Sequence, residues 1–366
     1  MGLGRLSAAM TVRQKAALSA AIGLLGFAAA VAATALVVSP GAALAFWTGV
    51  LAILAAAVML SPVRVDDLGP RPRPAPDHDA AVARFRAEAA PSPVALNPLC
   101  HPELMTHGVR TARAVVLLHG ISSCPRAFVD FAPMLFARGW NVVTLRMPEN
   151  GYADRATDAL KRLTAEQLRD WGDLAVDIAA GLGEEVVVLG ISAGGVAAAW
   201  CGQNRPEVGR AVLVAPMFGL ANLGPRLNAA IMRLTLFLPD FSIWKDPILR
   251  ERLVGLPHCY KRQSSRATGE ILRLGAAVRR QAEAAPPAAR SAALVINAND
   301  TAIDNGLARR LADLWSGRGM AVVRYEFATA HGLGHELVDP MEPGADPGLT
   351  YPVLIGMIEG ERPDRA

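Results

Sequence analysis

The chain has 366 residues, 52% of them hydrophobic but only 5% aromatic, with a formal net charge of +4. That length fits one large domain or two modest ones, and arginines scattered without a basic tract argue against nucleic acid as a partner. Cys100, Cys124, Cys201 and Cys259 form no CxxC pair, and His78, His101, His107 and His258 lack metal-ligand spacing, so no metal is expected and packing is the reading for those histidines.

Residues 1–15 form a charged tail. No charged residue lies between Lys15 and Arg64: Ala16–Val38 is apolar, Ser39-Pro40-Gly41 breaks it, and Ala42–Leu60 is apolar again. Each half has the roughly 20 residues that a helix needs to cross a bilayer, and lipid leaves an isolated span no other backbone form. Residues 16–61 therefore read as a transmembrane helical hairpin. A cleaved signal peptide is the competing reading, since Ala43-Leu44-Ala45 resembles a cleavage site. The apolar stretch before it is too long for a signal core, however, and a second follows at once. Arg5, Arg13 and Lys15 before the spans, and Arg64, Arg71 and Arg73 after them, place both flanks and the body of the protein in the cytoplasm by the positive-inside rule.

Residues 62–98 read as a linker, because prolines at 62, 70, 72, 74, 76, 91, 93 and 98 oppose helix and sheet, with a short helix over Asp79–Ala89. Cys100 and Cys124 flank the segment that enters the first core strand. They are either two buried thiols or a disulfide, and a disulfide would argue for an oxidising compartment, against the charge rule.

From residue 99 to residue 366 apolar runs alternate with helical patterns. Ala114–Leu118, Asn141–Leu145, Glu185–Gly190, Ala211–Val214, Ala293–Asn297 and Ala321–Phe327 read as strands. Phe128, Phe131, Met134 and Leu135 recur at helical spacing, and Thr164 with Gln167 has capping-box spacing ahead of the apolar face Leu168, Trp171, Leu174, Ala175 and Ile178. Continuous Val/Leu runs between helices indicate an α/β fold whose mostly parallel sheet is covered on both faces. No good strand falls between Pro216 and Pro287, so about 217–288 reads as a helical cap. Its apolar residues could hold an acyl chain or simply bury against the core.

Gly190-Ile191-Ser192-Ala193-Gly194 matches G-x-S-x-G. Alone the motif is weak. Here a Val-rich strand runs into it and a helix of small residues follows, the context of a serine held exposed on a tight strand-to-helix turn. A serine hydroxyl needs a base to take its proton and an acid to orient the base. Asp300 and Asp304 follow one late strand; His331 and His335 follow the next.

On Leu118-His119-Gly120, Gly190–Gly195, Asn299–Asp304 and Gly334-His335-Glu336 the chain resembles the α/β-hydrolase superfamily over about residues 99–366, most closely its esterase and monoacylglycerol-lipase-like branch. The resemblance implies Ser192, Asp300 and His335 as a catalytic triad, with His331 the runner-up base and Asp304 a polar position one turn on. It implies oxyanion-hole N–H groups from Ala193 and Ile121, with His119, Gly120, Gly190 and Gly194 shaping the loop and elbow. Ser122 and Ser123 read either as pocket-lining residues or as ordinary turn residues. Pro148-Glu149-Asn150-Gly151 departs from the Pro-Gly-His-Gly loop of many relatives, which puts the shape of the substrate entrance in doubt. The expectation is a membrane-anchored serine hydrolase of hydrophobic carboxylic esters, needing no cofactor. An acyltransferase or amidase on the same triad, or a non-catalytic membrane scaffold, are its rivals.

Overall fold

The computed structural model describes residue 25 and residues 27–361, and the chain divides into two units: one up to Val63 together with Ile243–Leu253, the other Arg64–Ser242 with Val254 onward. The 1–15 tail and part of the first expected span lie outside the described residues.

In the first unit, residues 27–35 are helical and helix α1 spans Pro40–Leu60. The Ser39-Pro40 break is the start of α1. Ser39 Oγ accepts the Ala42 N–H at 3.3 Å, and a proline at the first helical position sacrifices no hydrogen bond. At 1.5 Å per residue α1 is about 31 Å long, close to a bilayer core. Phe46, Leu51, Ile53 and Leu60 are exposed along it. Trp47 Nε1 donates to Thr34 Oγ1 at 2.9 Å, joining α1 to the helical 27–35 stretch. Among the described residues α1 alone is long and apolar enough to cross a membrane.

The second unit is built on seven strands: β1 Glu103–Met105, β2 Thr111–Leu118, β3 Asn141–Thr144, β4 Gly183–Ile191, β5 Val208–Val214, β6 Ser291–Asn297 and β7 Ala321–Phe327, in the order β1-β3-β2-β4-β5-β6-β7. All neighbours are parallel except β1, which runs antiparallel to β3 at the edge. Strands β3, β4 and β5 have scarcely an exposed residue, as helices on both faces require. Helices α2 His78–Glu88, α3 Phe131–Phe136, α4 Ala165–Leu182, α5 Ala193–Asn204, α6 Gly224–Phe237, α7 Ser265–Ala284, α8 Asn305–Gly317 and α9 Pro347–Glu359 complete it. The Thr164–Gln167 capping box starts α4, with both reciprocal hydrogen bonds formed, at 3.2 and 3.0 Å. Helices α6 and α7 lie between β5 and β6. The stretch read as lacking strands also holds two short ones, Ser242–Trp244 and Arg262–Ser264, each too short to carry a periodic signal.

The proline-rich stretch is not a free linker. Proline keeps it extended, and the N–H groups between its prolines are bonded to α4. The Arg71 N–H donates to Asp173 Oδ2 at 2.7 Å, the Arg73 N–H to the Asp177 carboxylate at 3.0 Å, and the Ala75 N–H to the Asp177 carbonyl at 2.8 Å. Arg205, fully buried, holds Asp173 and Asp177 from the other side at 2.6 Å each. Trp200 Nε1 donates to the Leu68 carbonyl at 2.8 Å, and α2 packs on α4 through the buried Ala81 and Phe85. Cys100 and Cys124 are paired as a disulfide with Cα atoms 5.3 Å apart.

Candidate active site

Strand β4 ends at Ile191 and α5 begins at Ala193, leaving Ser192 alone between them with φ 57° and ψ −116°. A positive φ on a residue with a Cβ is strained, and close backbone approach enforces it. A Cβ on Gly190 would overlap the Gly194 carbonyl, one on Gly194 the Leu118 carbonyl, and one on Gly195 would sit 2.9 Å from Pro216 Cα. The G-x-S-x-G glycines are therefore steric requirements of this turn. The Ser192 N–H is tied to the Val214 carbonyl at 3.0 Å, and its own carbonyl receives the Met217 N–H at 3.0 Å.

The loops after β6 and β7 bring the other two predicted residues to this turn. His335 Nε2 lies 3.0 Å from Ser192 Oγ, and His335 Nδ1 lies 2.7 Å from Asp300 Oδ2. The Asp300 side chain is buried, and its Oδ1 accepts the N–H groups of Ala302 and Ile303 at 2.8 and 3.1 Å. With Asp300 as acceptor, Nδ1 carries the imidazole proton and Nε2 is free to receive the serine's. Burial alone would lower the pKa of His335. The hydrogen bond and charge of Asp300, with Glu336 and Glu342 adding to them, outweigh it and leave the pKa above the ordinary imidazole value. His331 is exposed in the turn Thr329–His331, with its ring against Phe327, so the structure joins His335 and not His331 to Ser192. Asp304 caps α8, accepting the Gly306 and Leu307 N–H groups at 2.8 and 3.2 Å.

The loop after β2 faces the same serine. A Cβ on Gly120 would reach within 3.4 Å of Ser192 Cβ. His119 is buried and structural: Nδ1 bonds the Gly120 carbonyl at 2.8 Å and Nε2 accepts the Met147 N–H at 2.9 Å. Burial, with Arg146 and His258 nearby, drives its pKa down to about 3, so it stays neutral in the tautomer those partners select. The next loop, where Pro148-Glu149-Asn150-Gly151 departs from the relatives' pattern, supplies a contact missed in the sequence. Buried Asn150 accepts the Ser122 N–H through Oδ1 at 2.9 Å and donates to the Pro148 carbonyl at 3.0 Å. Ser122 has φ 62°, and its carbonyl receives the Tyr260 N–H at 2.8 Å. Among the described residues the N–H groups of Ile121 and Ala193 have no backbone or side-chain acceptor. Ser122 and Ser123 are both buried, and Ser123 Oγ has no partner.

The histidine expected to be mere packing, His258, is buried with its Nε2 2.7 Å from Asp339 Oδ2, and Cys259 beside it completes a His-Cys-Asp group. An apolar cleft between α6, α7 and α8 is lined by Phe218, Met232, Leu272, Leu307 and Leu311. Its lining includes none of Ser192, His335 or Asp300.

Comparison with known proteins agrees with this architecture. Residues 115–347 match the model of the alpha/beta hydrolase family. No protein of curated function matches the sequence significantly. Among solved structures, one from work on the metagenome-derived lipolytic enzymes LipS and LipT aligns at 17% identity over 73% of this chain and all of that one (TM-score 0.52). Paleococcus ferrophilus monoacylglycerol lipase aligns at 16% identity over 71% of this chain and 98% of its own (TM-score 0.52). A soluble variant of the Saccharomyces cerevisiae monoglyceride lipase, in complex with a substrate analog, aligns at 14% identity over 68% of this chain and 86% of its own (TM-score 0.51). At these identities the structures speak to fold alone, whereas the family model spans well over half of the sequence: the chain belongs to the alpha/beta hydrolase family.

Proposed function

We propose that this protein is a membrane-anchored serine hydrolase that cleaves carboxylic esters of hydrophobic, lipid-like acyl groups. The observation that carries the reading is the unbroken relay from Ser192 Oγ through His335 to the buried Asp300, at 3.0 and 2.7 Å. Ser192 Oγ attacks the ester carbonyl carbon as His335 Nε2 takes its proton. The tetrahedral oxyanion is held by the N–H groups of Ala193 and Ile121; one such donor is commonly worth about 10²–10³ in rate. The imidazolium then protonates the leaving alcohol, and an acyl-enzyme remains. Water, deprotonated by the same imidazole, attacks the acyl carbon and restores Ser192. Asp300 holds the tautomer and stabilises the imidazolium.

A transmembrane hairpin is supported by the length of α1, its exposed apolar side chains and the Trp47–Thr34 bond. It would hold the hydrolase domain at the membrane surface. The flanking arginines favour the cytoplasmic side, while the Cys100–Cys124 disulfide favours an oxidising one. Preference for an apolar acyl group is supported by that anchor and by Leu227, Leu234, Phe237 and Leu238, exposed on and just after α6.

A fluorophosphonate probe should label the detergent-solubilised chain, and Ser192→Ala should abolish labelling. Across p-nitrophenyl esters of increasing length kcat/KM should rise with the chain. Labelling that survives Ser192→Ala removes the nucleophile assignment, and a preference for acetate over long chains removes the substrate class.

A further inference from the structure

We infer that His258 is a positioning residue, whose pairing with Asp339 latches the segment between α6 and α7 onto both loops that flank Ser192. The inference rests on the hydrolase reading for its kinetic part only. His258 and Asp339 are 81 positions apart, their side chains are buried, and Nε2 approaches Oδ2 to 2.7 Å. Asp339 belongs to the loop that carries His335. Its N–H and that of Val338 both donate to Glu336 Oε1, at 3.3 and 3.1 Å, and its Oδ1 accepts the Met341 N–H at 3.0 Å. Fixing Asp339 thus fixes the turn directly after the base.

Two residues on from His258, the Tyr260 N–H donates to the Ser122 carbonyl at 2.8 Å, holding the loop that presents Ile121. The Tyr260 hydroxyl extends the brace by donating to the Glu149 carbonyl at 3.1 Å and accepting the Tyr152 N–H at 2.9 Å. One short segment therefore grips the oxyanion loop and the histidine loop together.

Stability alone is a poor reason for such a pair, because apolar residues of similar volume often serve a core as well as a buried ion pair does. A directional bond between two loops does specify their relative position, and a displacement of about 1 Å near a reacting centre can cost on the order of 10²-fold in rate. The charge state agrees with the geometry. Burial opposes protonation of His258, but the Asp339 hydrogen bond, with Cys259 adding to it, pushes its pKa up to about 9.

The test compares His258→Ala, His258→Gln and Asp339→Asn in the full chain in detergent. Gln sets an amide donor about where Nε2 stood. His258→Ala should lower kcat about tenfold or more with KM changed less than about threefold, and His258→Gln should recover most of the loss. By hydrogen–deuterium exchange, residues 120–124 and 332–342 should open faster in His258→Ala while the sheet does not. A folded His258→Ala protein with wild-type kcat and exchange overturns the latch, and so does His258→Gln as slow as His258→Ala. Where His258→Ala does not fold, Asp339→Asn decides: lowered kcat at unchanged KM supports the latch, and wild-type kcat overturns it. Should the wild type itself fail to label with fluorophosphonate, the hydrolase reading falls and the exchange comparison alone judges the latch.

Discussion

Asp300 Oδ2 sits 2.7 Å from His335 Nδ1, and the aspartate's side chain is buried. On the proposed mechanism that contact sets the pH dependence. The base must be neutral to accept the Ser192 proton, and a raised pKa keeps it protonated to higher pH. Activity is therefore lost as pH falls through a value above the ordinary imidazole range. Asp300→Asn removes the charge, leaves burial to lower the pKa, and offers the wrong hydrogen-bond partner to Nδ1. The acid limb of kcat/KM should move to lower pH while the plateau falls on the order of 10³–10⁴-fold. A limb that stays in place would detach Asp300 from His335.

Asn150 is the acceptor for the Ser122 N–H, one residue beyond the proposed oxyanion donor Ile121. Asn150→Ala leaves a buried N–H without a partner, which costs about 1–3 kcal/mol, and frees a loop whose Ser122 holds a positive φ. We expect kcat to fall about tenfold or more, with KM little changed. A parallel control is Gly334→Ala, where an added Cβ meets nothing within 4 Å, and it should leave kcat near wild type. Equal kcat in the two variants would mean that the loop keeps its shape without Asn150.

These two sites differ in how far the sequence announces them. Ser192 was legible because the residue types its turn demands are local: the valines of β4, the glycines at 190 and 194, the small residues of α5. The five inner parallel strands were legible for the same reason, since a strand covered on both faces writes its own apolar run, while β7, partly exposed at the other edge, was legible from its β-branched and aromatic residues. Strand β1 was not, because its three residues lie at an edge with one side exposed. The Asn150–Ser122 bond spans 28 positions, the His258–Asp339 bond 81, and the contacts of Arg71 and Arg73 more than 100. No residue type or spacing marks such partners. Prolines at alternate positions read equally well as a linker or as an extended strap, and only the presence of Asp173 and Asp177 opposite them decides which.

The strap has a consequence for truncation. A chain that starts at Ala95 loses the Arg71, Arg73 and Ala75 bonds, leaves the Asp173–Asp177–Arg205 cluster short of donors, and exposes the surface under Ala81 and Phe85. Damage to a buried ion-pair network costs about 3–5 kcal/mol, and for a domain of this size each kcal/mol is worth about 2–4 °C in Tm. A chain starting at Arg64 should melt roughly 10 °C or more above one starting at Ala95, measured by differential scanning fluorimetry, and the shorter one should aggregate on expression. Equal Tm values would show the strap to be a passenger.

For the membrane anchor proposed above, Cys100 and Cys124 supply the test of sidedness. Cys201 and Cys259 are free but buried, and burial raises the Cys201 thiol pKa, so neither reacts readily in the folded protein. If the hydrolase domain sits in an oxidising compartment, unfolding without reductant exposes only Cys201 and Cys259 to a maleimide-polymer tag, and reduction adds Cys100 and Cys124. We expect that pattern in protein taken directly from the membrane under acid quench, together with a C-terminal reporter active only on the oxidising side. The positive-inside rule weighs arginines near the spans as translocation proceeds, whereas a disulfide records the compartment in which the domain finished folding, which makes it the more direct witness. Four taggable thiols before reduction, with a reporter active in the cytoplasm, would return the domain to the side that Arg5, Arg13, Arg64, Arg71 and Arg73 favour.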